Sequence, residues 1–292
     1  MSEDSITELT TTVLRKSKGR KLDDGDRLLV HYQGKLLNGE QFDASFDFSS
    51  FEAAEGRTPF DFVLGAGQVI QGWEQGLKGQ KLGEVLELKI PSELAYGEQA
   101  MGDAIPPNSP LIFTVEVLAV LPAGEAVPIY LDFKDIGIKP KKIGLTDELL
   151  ATIQFSKTGL DRNDELNGRE GIEEADLLIG LKGNDTFHGG GGADVLIGGK
   201  GKDRFVYTDV EDSMVNEESR DRILDFGKKD KINLQALADD LQFIKKRDFT
   251  GTAGEVRFAN ETLSIDIDGD QSADFAVALP GVTKLKGSNL LL

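Results

Sequence analysis

The chain has 292 residues, 39% of them hydrophobic, with 51 acids against 33 bases and a formal charge of −18. That length and apolar content suit two or three domains with real cores, and the acidic balance argues against nucleic acid and anionic membranes as partners while suiting a protein that collects divalent cations. With no cysteine there is neither disulfide nor thiolate chemistry, and no apolar run reaches the roughly 18 residues that a membrane span needs.

The first residues, Met1 to Glu8, are polar and acidic and lack the basic and apolar regions of a secretory signal peptide. Arg27 to Tyr32 reads as a strand, and Leu36 to Glu40 carries an Asn-Gly turn between strands. A short helix is expected over Gln68 to Leu77, with Val69, Trp73 and Leu77 on one face at four-residue spacing. Apolar and charged residues alternate through Leu86 to Ile90. Further on, Leu111, Phe113, Val115 and Val117 face one way, Thr114 and Glu116 the other. Few helices and several antiparallel strands define an α+β domain over residues 1–121. His31 reads as a strand histidine without a catalytic role.

Six segments of this region carry more than periodicity. They are Val30-His31-Tyr32-Gln33-Gly34, Gly39-Glu40-Gln41-Phe42-Asp43, Phe60 to Gly65, Val69 to Gly76, Ala95-Tyr96-Gly97 and Ile105-Pro106-Pro107-Asn108. Together, and in this order, they resemble the FKBP-type peptidyl-prolyl isomerases. The resemblance implies a curled antiparallel sheet wrapping a short helix, with an apolar pocket for proline-containing polypeptides. It implies Trp73 as pocket floor and Tyr32, Phe42, Phe60, Val69, Ile70, Tyr96, Ile105 and Phe113 as walls. Asp43 would sit near the substrate carbonyl, while the Ile70 N–H and the Tyr96 hydroxyl would hold carbonyls of the bound peptide. Three departures stand out. The stretch Phe46 to Pro59 is longer than in compact members, and the arginine that usually follows Asp43 closely is absent, the nearest being Arg57. Gln99 to Asp103 also lacks a histidine that some members carry.

Pro122-Ala123-Gly124-Glu125 ends this domain, and residues 122–158, with Pro128, Pro140 and the basic patch Lys139 to Lys142, read as a linker that is partly ordered where it caps the next domain. Residues 159–207 then hold a nine-residue repeat. Three copies stand in tandem from Gly180 to Val206. Gly180, Gly183, Gly189, Gly192, Gly198 and Gly201 fill the first and fourth places, Asp185, Asp194 and Asp203 the sixth, and Phe187, Leu196 and Phe205 the eighth. Weaker copies lie upstream: one ends in Asn163-Asp164-Glu165-Leu166, and the next opens with Gly168 and Gly171 and closes with Asp176 to Ile179 after a short insertion at Glu173-Glu174-Ala175. Glycines let carbonyls turn to a common centre, and the aspartate adds a hard oxygen of the kind calcium takes six to eight of. One unit cannot bury its apolar side chain alone, so neighbours must stack. The pattern is identified as the calcium-binding repeat of RTX proteins. It implies an all-β parallel β-roll with several structural Ca²⁺ ions on Asp164, Asp176, Asp185, Asp194, Asp203 and the six repeat glycines. His188 has no catalytic role in this reading.

Residues 208–292 read as a β-rich cap. Arg222 to Leu234 resembles the segment after the repeats in serralysin-type C-terminal domains. Those proteases carry a zinc helix with two histidines, but this chain has two histidines in all, far apart, so the resemblance implies calcium-dependent folding and export rather than proteolysis. A type I secretion apparatus would be a partner, giving an extracellular protein by a route without a signal peptide, and a cytoplasmic one otherwise. The tail Ser288 to Leu292 is apolar as that route requires, but no acidic residue precedes it. Asp266 to Asp274 alternates carboxylates around Gly269, which fits either a calcium loop or a solvated strand turn. The combined reading is a multidomain prolyl isomerase and folding helper fused to a calcium-folded module. Its rival is a non-catalytic extracellular binding or adhesion protein that uses the same pocket as a ligand site.

Overall fold

The computed structural model describes residues 6–169 and 174–292. The readings placed on Met1–Ser5, Gly171 and Glu173 fall outside the described residues. The chain divides into two units, Met1–Ile138 and Lys139–Leu292. No helix among the described residues is long and apolar enough to cross a membrane.

In the first unit the expected strands form one antiparallel sheet in the order Thr10–Arg15, Val85–Ile90, Leu111–Leu121, Arg27–Leu36, Gln41–Ala44, with Phe60–Val63 also paired to Arg27–Leu36. Alternation does the sorting. Leu111, Phe113, Val115 and Val117 are all buried, while Ile112, Thr114 and Glu116 between them are only partly buried. The helix spans Gln71–Leu77 and buries Gly72, Trp73, Gly76 and Leu77. It begins three residues later than its periodicity suggests. Gly67 stands at φ 69°, outside the helical region, and the Gln68 side chain is engaged with the Val63 N–H. The two helical glycines let the helix lie close on the sheet: a Cβ at Gly72 would collide with Ile90, and one at Gly76 would stand 2.9 Å from Leu88. Trp73, Leu77, Leu86, Leu88, Ile90, Val115 and Val117 thereby share one core.

The second unit is built from very short strands that alternate between two sheets. One runs Phe155–Thr158, Asp176–Ile179, Val195–Ile197, Arg222–Ile223, all parallel; the other runs Glu165–Asn167, Thr186–His188, Arg204–Val206, Lys231–Asn233, Leu290–Leu291, also parallel. Leu178 pairs with Leu196 and Phe187 with Phe205, so each strand meets the one two repeats on. Leu166, by contrast, pairs with Phe187, three residues beyond that period, which is the length of the insertion at residues 173–175. Leu166, Phe187, Leu196 and Phe205, the eighth-place residues, are all essentially fully buried, each contributing roughly 1.5–3 kcal/mol by burial. The Phe187 and Phe205 rings stack at 4.9 Å. Beyond the repeats, Phe275–Ala278, Thr262–Asp266, Glu255–Ala259 and Gln242–Lys245 extend the first sheet.

Candidate functional site

Sheet curvature around the helix leaves a cavity of about 470 Å³ lined by Tyr32, Phe42, Asp43, Phe60, Gly67, Gln68, Val69, Ile70, Trp73, Tyr96 and Phe113. Of the ten residues expected there, nine line it. Ile105 does not: it is buried in the core beneath. Trp73 forms the base, 4% exposed, with its ring edge-on to Phe113 at 5.2 Å and to Tyr32 at 5.7 Å. Its indole nitrogen is buried and has no hydrogen-bond partner. Phe42 stands edge-on to Phe113 at 5.5 Å, and Phe60 remains 39% exposed at the rim.

Asp43 supplies the polar corner. The Tyr32 hydroxyl donates to its Oδ2 at 2.7 Å, while Arg57 Nη2 at 3.0 Å and the Ala44 N–H at 3.0 Å donate to Oδ1. Burial, then the hydrogen bond to Asp43 and its charge, push the Tyr32 phenol up to about 12. Burial and the same charge raise Tyr96. Both phenols therefore stay protonated and able to donate at neutral pH. Arg57 comes from the long Phe46–Pro59 stretch, so the missing nearby arginine is replaced by one delivered from that insertion. The pair is half-exposed and worth about 0–1 kcal/mol; its effect is to orient Asp43. The insertion is itself anchored: Phe48 and Phe51 are buried, and Phe46 stacks on His31 at 4.7 Å. His31 donates to or accepts from Ser45, lies off the cavity lining, and is held below its ordinary pKa by burial.

Gly34 backs the cavity wall. A Cβ there would stand 2.6 Å from the Phe42 ring and 2.7 Å from that of Phe113. Gly34→Ala is therefore expected to cost about 1–3 kcal/mol through overpacking. Urea unfolding measures it, and an unchanged midpoint would show that the rings give way freely.

In the second unit the repeat aspartates form two rows. Along one, the Asp164 N–H donates to Asp185 Oδ1 at 2.9 Å, Asp185 N–H to Asp203 Oδ1 at 3.0 Å, and Asp203 N–H to Asp230 Oδ1 at 3.1 Å. Along the other, Asp176 N–H donates to Asp194 Oδ1 at 2.8 Å and Asp194 N–H to Asp221 Oδ1 at 2.9 Å. All seven carboxylates are buried. Oδ2 of Asp185, Asp194, Asp203 and Asp221 has no hydrogen-bond partner. The first-place glycines make room for these oxygens: a Cβ at Gly198 would stand 2.7 Å from Asp203 Oδ2. Main-chain carbonyls crowd the same places, the Gly198 oxygen lying 2.8 Å from where a Gly180 Cβ would be. Burial first, and neighbouring carboxylates second, push Asp185 up to about 7, Asp194 to about 8 and Asp203 to about 6. Orphaned buried oxygens of this kind fit a hard oxygen-seeking cation. Among the described residues, three acidic side chains converge at Asp266, Asp268 and Asp274. There, however, both Asp266 oxygens are taken by the Gly269 and Gln271 N–H groups, and Asp274 Oδ2 accepts from Ile267.

A family described as FKBP-type peptidyl-prolyl cis-trans isomerase matches residues 18–118, and one described as peptidase M10 serralysin C terminal matches residues 171–291. FK506-binding protein 2 of Dictyostelium discoideum is 49% identical over 100 residues, 34% of this chain and 69% of that protein. FK506-binding protein 1A of Neurospora crassa is 40% identical over 121 residues, 41% of this chain and 94% of that protein. The FK506-binding protein of Neisseria meningitidis serogroup B is 43% identical over 107 residues, 37% of this chain and 91% of that protein.

Proposed function

The chain belongs to the FKBP-type peptidyl-prolyl cis-trans isomerases through residues 18–118, and we propose that the Trp73 pocket is where X-Pro bonds of polypeptide substrates are turned, while the repeat coil is a calcium-folded module for stability and export. The observation that carries the first part is the cavity itself, an aromatic cup with one carboxylate oriented by Tyr32 and Arg57 and no serine, threonine, cysteine, lysine or histidine in its lining.

Amide rotation meets a barrier of about 18–20 kcal/mol because the planar form is resonance-stabilised, and an X-Pro bond interconverts unaided over tens of seconds. A twisted amide has lost resonance and charge separation. A water-poor aromatic pocket therefore favours it over the more polar planar form. The prolyl ring would rest on Trp73 between Phe42, Phe60 and Phe113. The Ile70 N–H and the Tyr96 hydroxyl, which have no hydrogen-bond partner among the described residues, would hold flanking carbonyls. Asp43, fixed by Tyr32 and Arg57, would face the carbonyl carbon side as that oxygen swings. Binding that strengthens only in the twisted state lowers the barrier. Isomerisation of a proline peptide by Asp43→Ala tests the assignment: a clear loss of kcat/KM is expected, and wild-type rates would remove Asp43 from the site.

In the coil, Asp185, Asp194, Asp203 and the repeat glycine carbonyls would hold calcium, which when bound supplies the divalent charge that lets buried carboxylates stay ionised and adjacent. In a calcium-poor cytosol those carboxylates repel or must take up protons, and the repeats stay loose; in millimolar extracellular calcium, ion binding becomes folding free energy. The serralysin C-terminal match over residues 171–291 supports export by a type I apparatus, with folding outside. A pH dependence arises for the calcium-free fold. The carboxyls of Asp185, Asp194 and Asp203 are raised from the ordinary aspartate value to about 7, 8 and 6. Stability they contribute is complete below the unfolded carboxylate pKa and is lost as pH rises through that 6–8 window. With chelator present, the urea midpoint of the repeat signal should fall from acidic to alkaline pH; a rise would contradict the assignment.

A further inference from the structure

The two carboxylate rows do not begin and end alike. In later units Oδ1 accepts a main-chain N–H from two units earlier and Oδ2 is left without a partner. Asp164 and Asp176 open their rows and have no earlier unit. An arginine takes its place in each. Arg162 Nε donates to Asp164 Oδ1 at 3.0 Å, and Arg169 donates to Asp176 Oδ1 through Nε at 2.9 Å and Nη2 at 2.6 Å. Their Oδ2 atoms are filled too, by the Leu160 N–H at 2.6 Å and the Arg169 N–H at 2.7 Å. Arg169 is held further by Glu174 at 3.0 Å and by the Phe155 ring at 5.4 Å.

The backbone accounts for the difference. At the second place of the later units, Leu181, Gly190 and Gly199 have φ of 71°, 82° and 87°. None of them donates its N–H to its own unit's aspartate. Leu160 and Arg169, at the same place, do donate. A fixed guanidinium charge beside the carboxylate, and donors already seated on both of its oxygens, work against a second cation.

The far ends differ as well. Asp230 is closed, since its Oδ2 accepts from the Gly227 N–H at 2.7 Å. Asp221 lies outside the nonapeptides, is fully buried, and keeps Oδ2 unpartnered. A Cβ at Gly189 would stand 3.1 Å from that oxygen and would meet Asp194 Oδ2 as well, so two orphaned carboxylate oxygens flank one glycine.

Resting on the calcium reading above, we propose that the ion sites start only after the two arginine-capped units and run past the last repeat to Asp221, so that Asp185, Asp194, Asp203 and Asp221 ligate calcium while Asp164 and Asp176 do not. The arginines make the start of the coil independent of calcium, and the ions fill the coil from there.

Tyr207 provides a reporter. It is buried and lies next to Asp221, and it is the one tyrosine of residues 139–292, the single tryptophan lying in the other unit. Calcium titration calorimetry on the chelator-stripped full chain, repeated with terbium luminescence, tests the proposal. Asp176→Asn should keep the wild-type number of ions. Asp221→Asn should lose an ion, and its tyrosine-sensitised terbium emission should fall about tenfold or more. Should Asp221→Asn fail to fold, Asp221→Ser is read in its place by the lost ion, while Tyr207→Phe, with ion number kept and terbium emission lost, places an ion at this end of the row. A wild-type chain that binds no calcium would end the calcium reading itself. A wild-type chain that binds calcium, with an ion lost in Asp176→Asn or emission kept in Tyr207→Phe, would overturn the present inference and leave that reading standing.

Discussion

Stripping calcium from the full chain near neutral pH should erase most of the β-signal of the repeats, and millimolar calcium should restore it. The size of the effect comes from Oδ2 of Asp185, Asp194, Asp203 and Asp221, all buried and without partners. Each such atom costs about 1–3 kcal/mol, more when ionised. Four of them together rival the roughly 5–15 kcal/mol that holds a whole domain. A cation at a thousandfold excess over its Kd returns about 4 kcal/mol per site. Far-UV circular dichroism during chelation and repletion measures this. A spectrum indifferent to chelator would mean that the aspartate rows close by themselves, through proton uptake or water.

Trp73→Ala should be the most damaging single change in the first unit. The ring touches Tyr32, Phe60, Phe62 and Phe113 and is 4% exposed. Removing it empties the pocket base and a piece of core, at about 3–5 kcal/mol. Trp73→Leu keeps more of the volume and separates folding from catalysis. Its kcat/KM should drop about 10- to 100-fold, which is about 1.4–2.7 kcal/mol of lost transition-state binding. KM should change less than kcat if the indole acts on the twisted amide rather than on substrate docking. Full activity in a folded Trp73→Leu protein would place the chemistry elsewhere.

Much of this is legible in the residues. Alternation in Leu86 to Ile90 and Leu111 to Val117 marks buried and exposed faces because each strand faces core on one side only. The nine-residue period is legible because each unit repeats one local geometry, and its three-residue lapse before Phe187 reappears as a shifted register. The pocket walls are readable as motifs, with Ile105 as the exception: its segment reaches the core, not the cavity. Gln68 escapes notice as lining because a polar residue beside Val69 gives no apolar signal. Arg57 could not be assigned, since its meeting with Asp43 depends on how the Phe46–Pro59 insertion folds back. Asp221 is hidden for a similar reason. The chain leaves the repeat after Tyr207 and returns to the row only through tertiary pairing of Arg222–Ile223 with Val195–Ile197. Nor does a sequence period reveal which aspartates are already saturated; that depends on arginine placement and on the φ of one residue per unit.

The most direct test is turnover by the wild-type full chain, in calcium, on a short peptide with one X-Pro bond, followed by exchange between cis and trans proton resonances. Catalysed exchange well above the uncatalysed rate, and its loss on replacing Trp73 by Leu, is the expected result. Exchange no faster than in buffer, from protein whose circular dichroism shows both units folded, would contradict the assignment of this cavity as a prolyl-isomerising site.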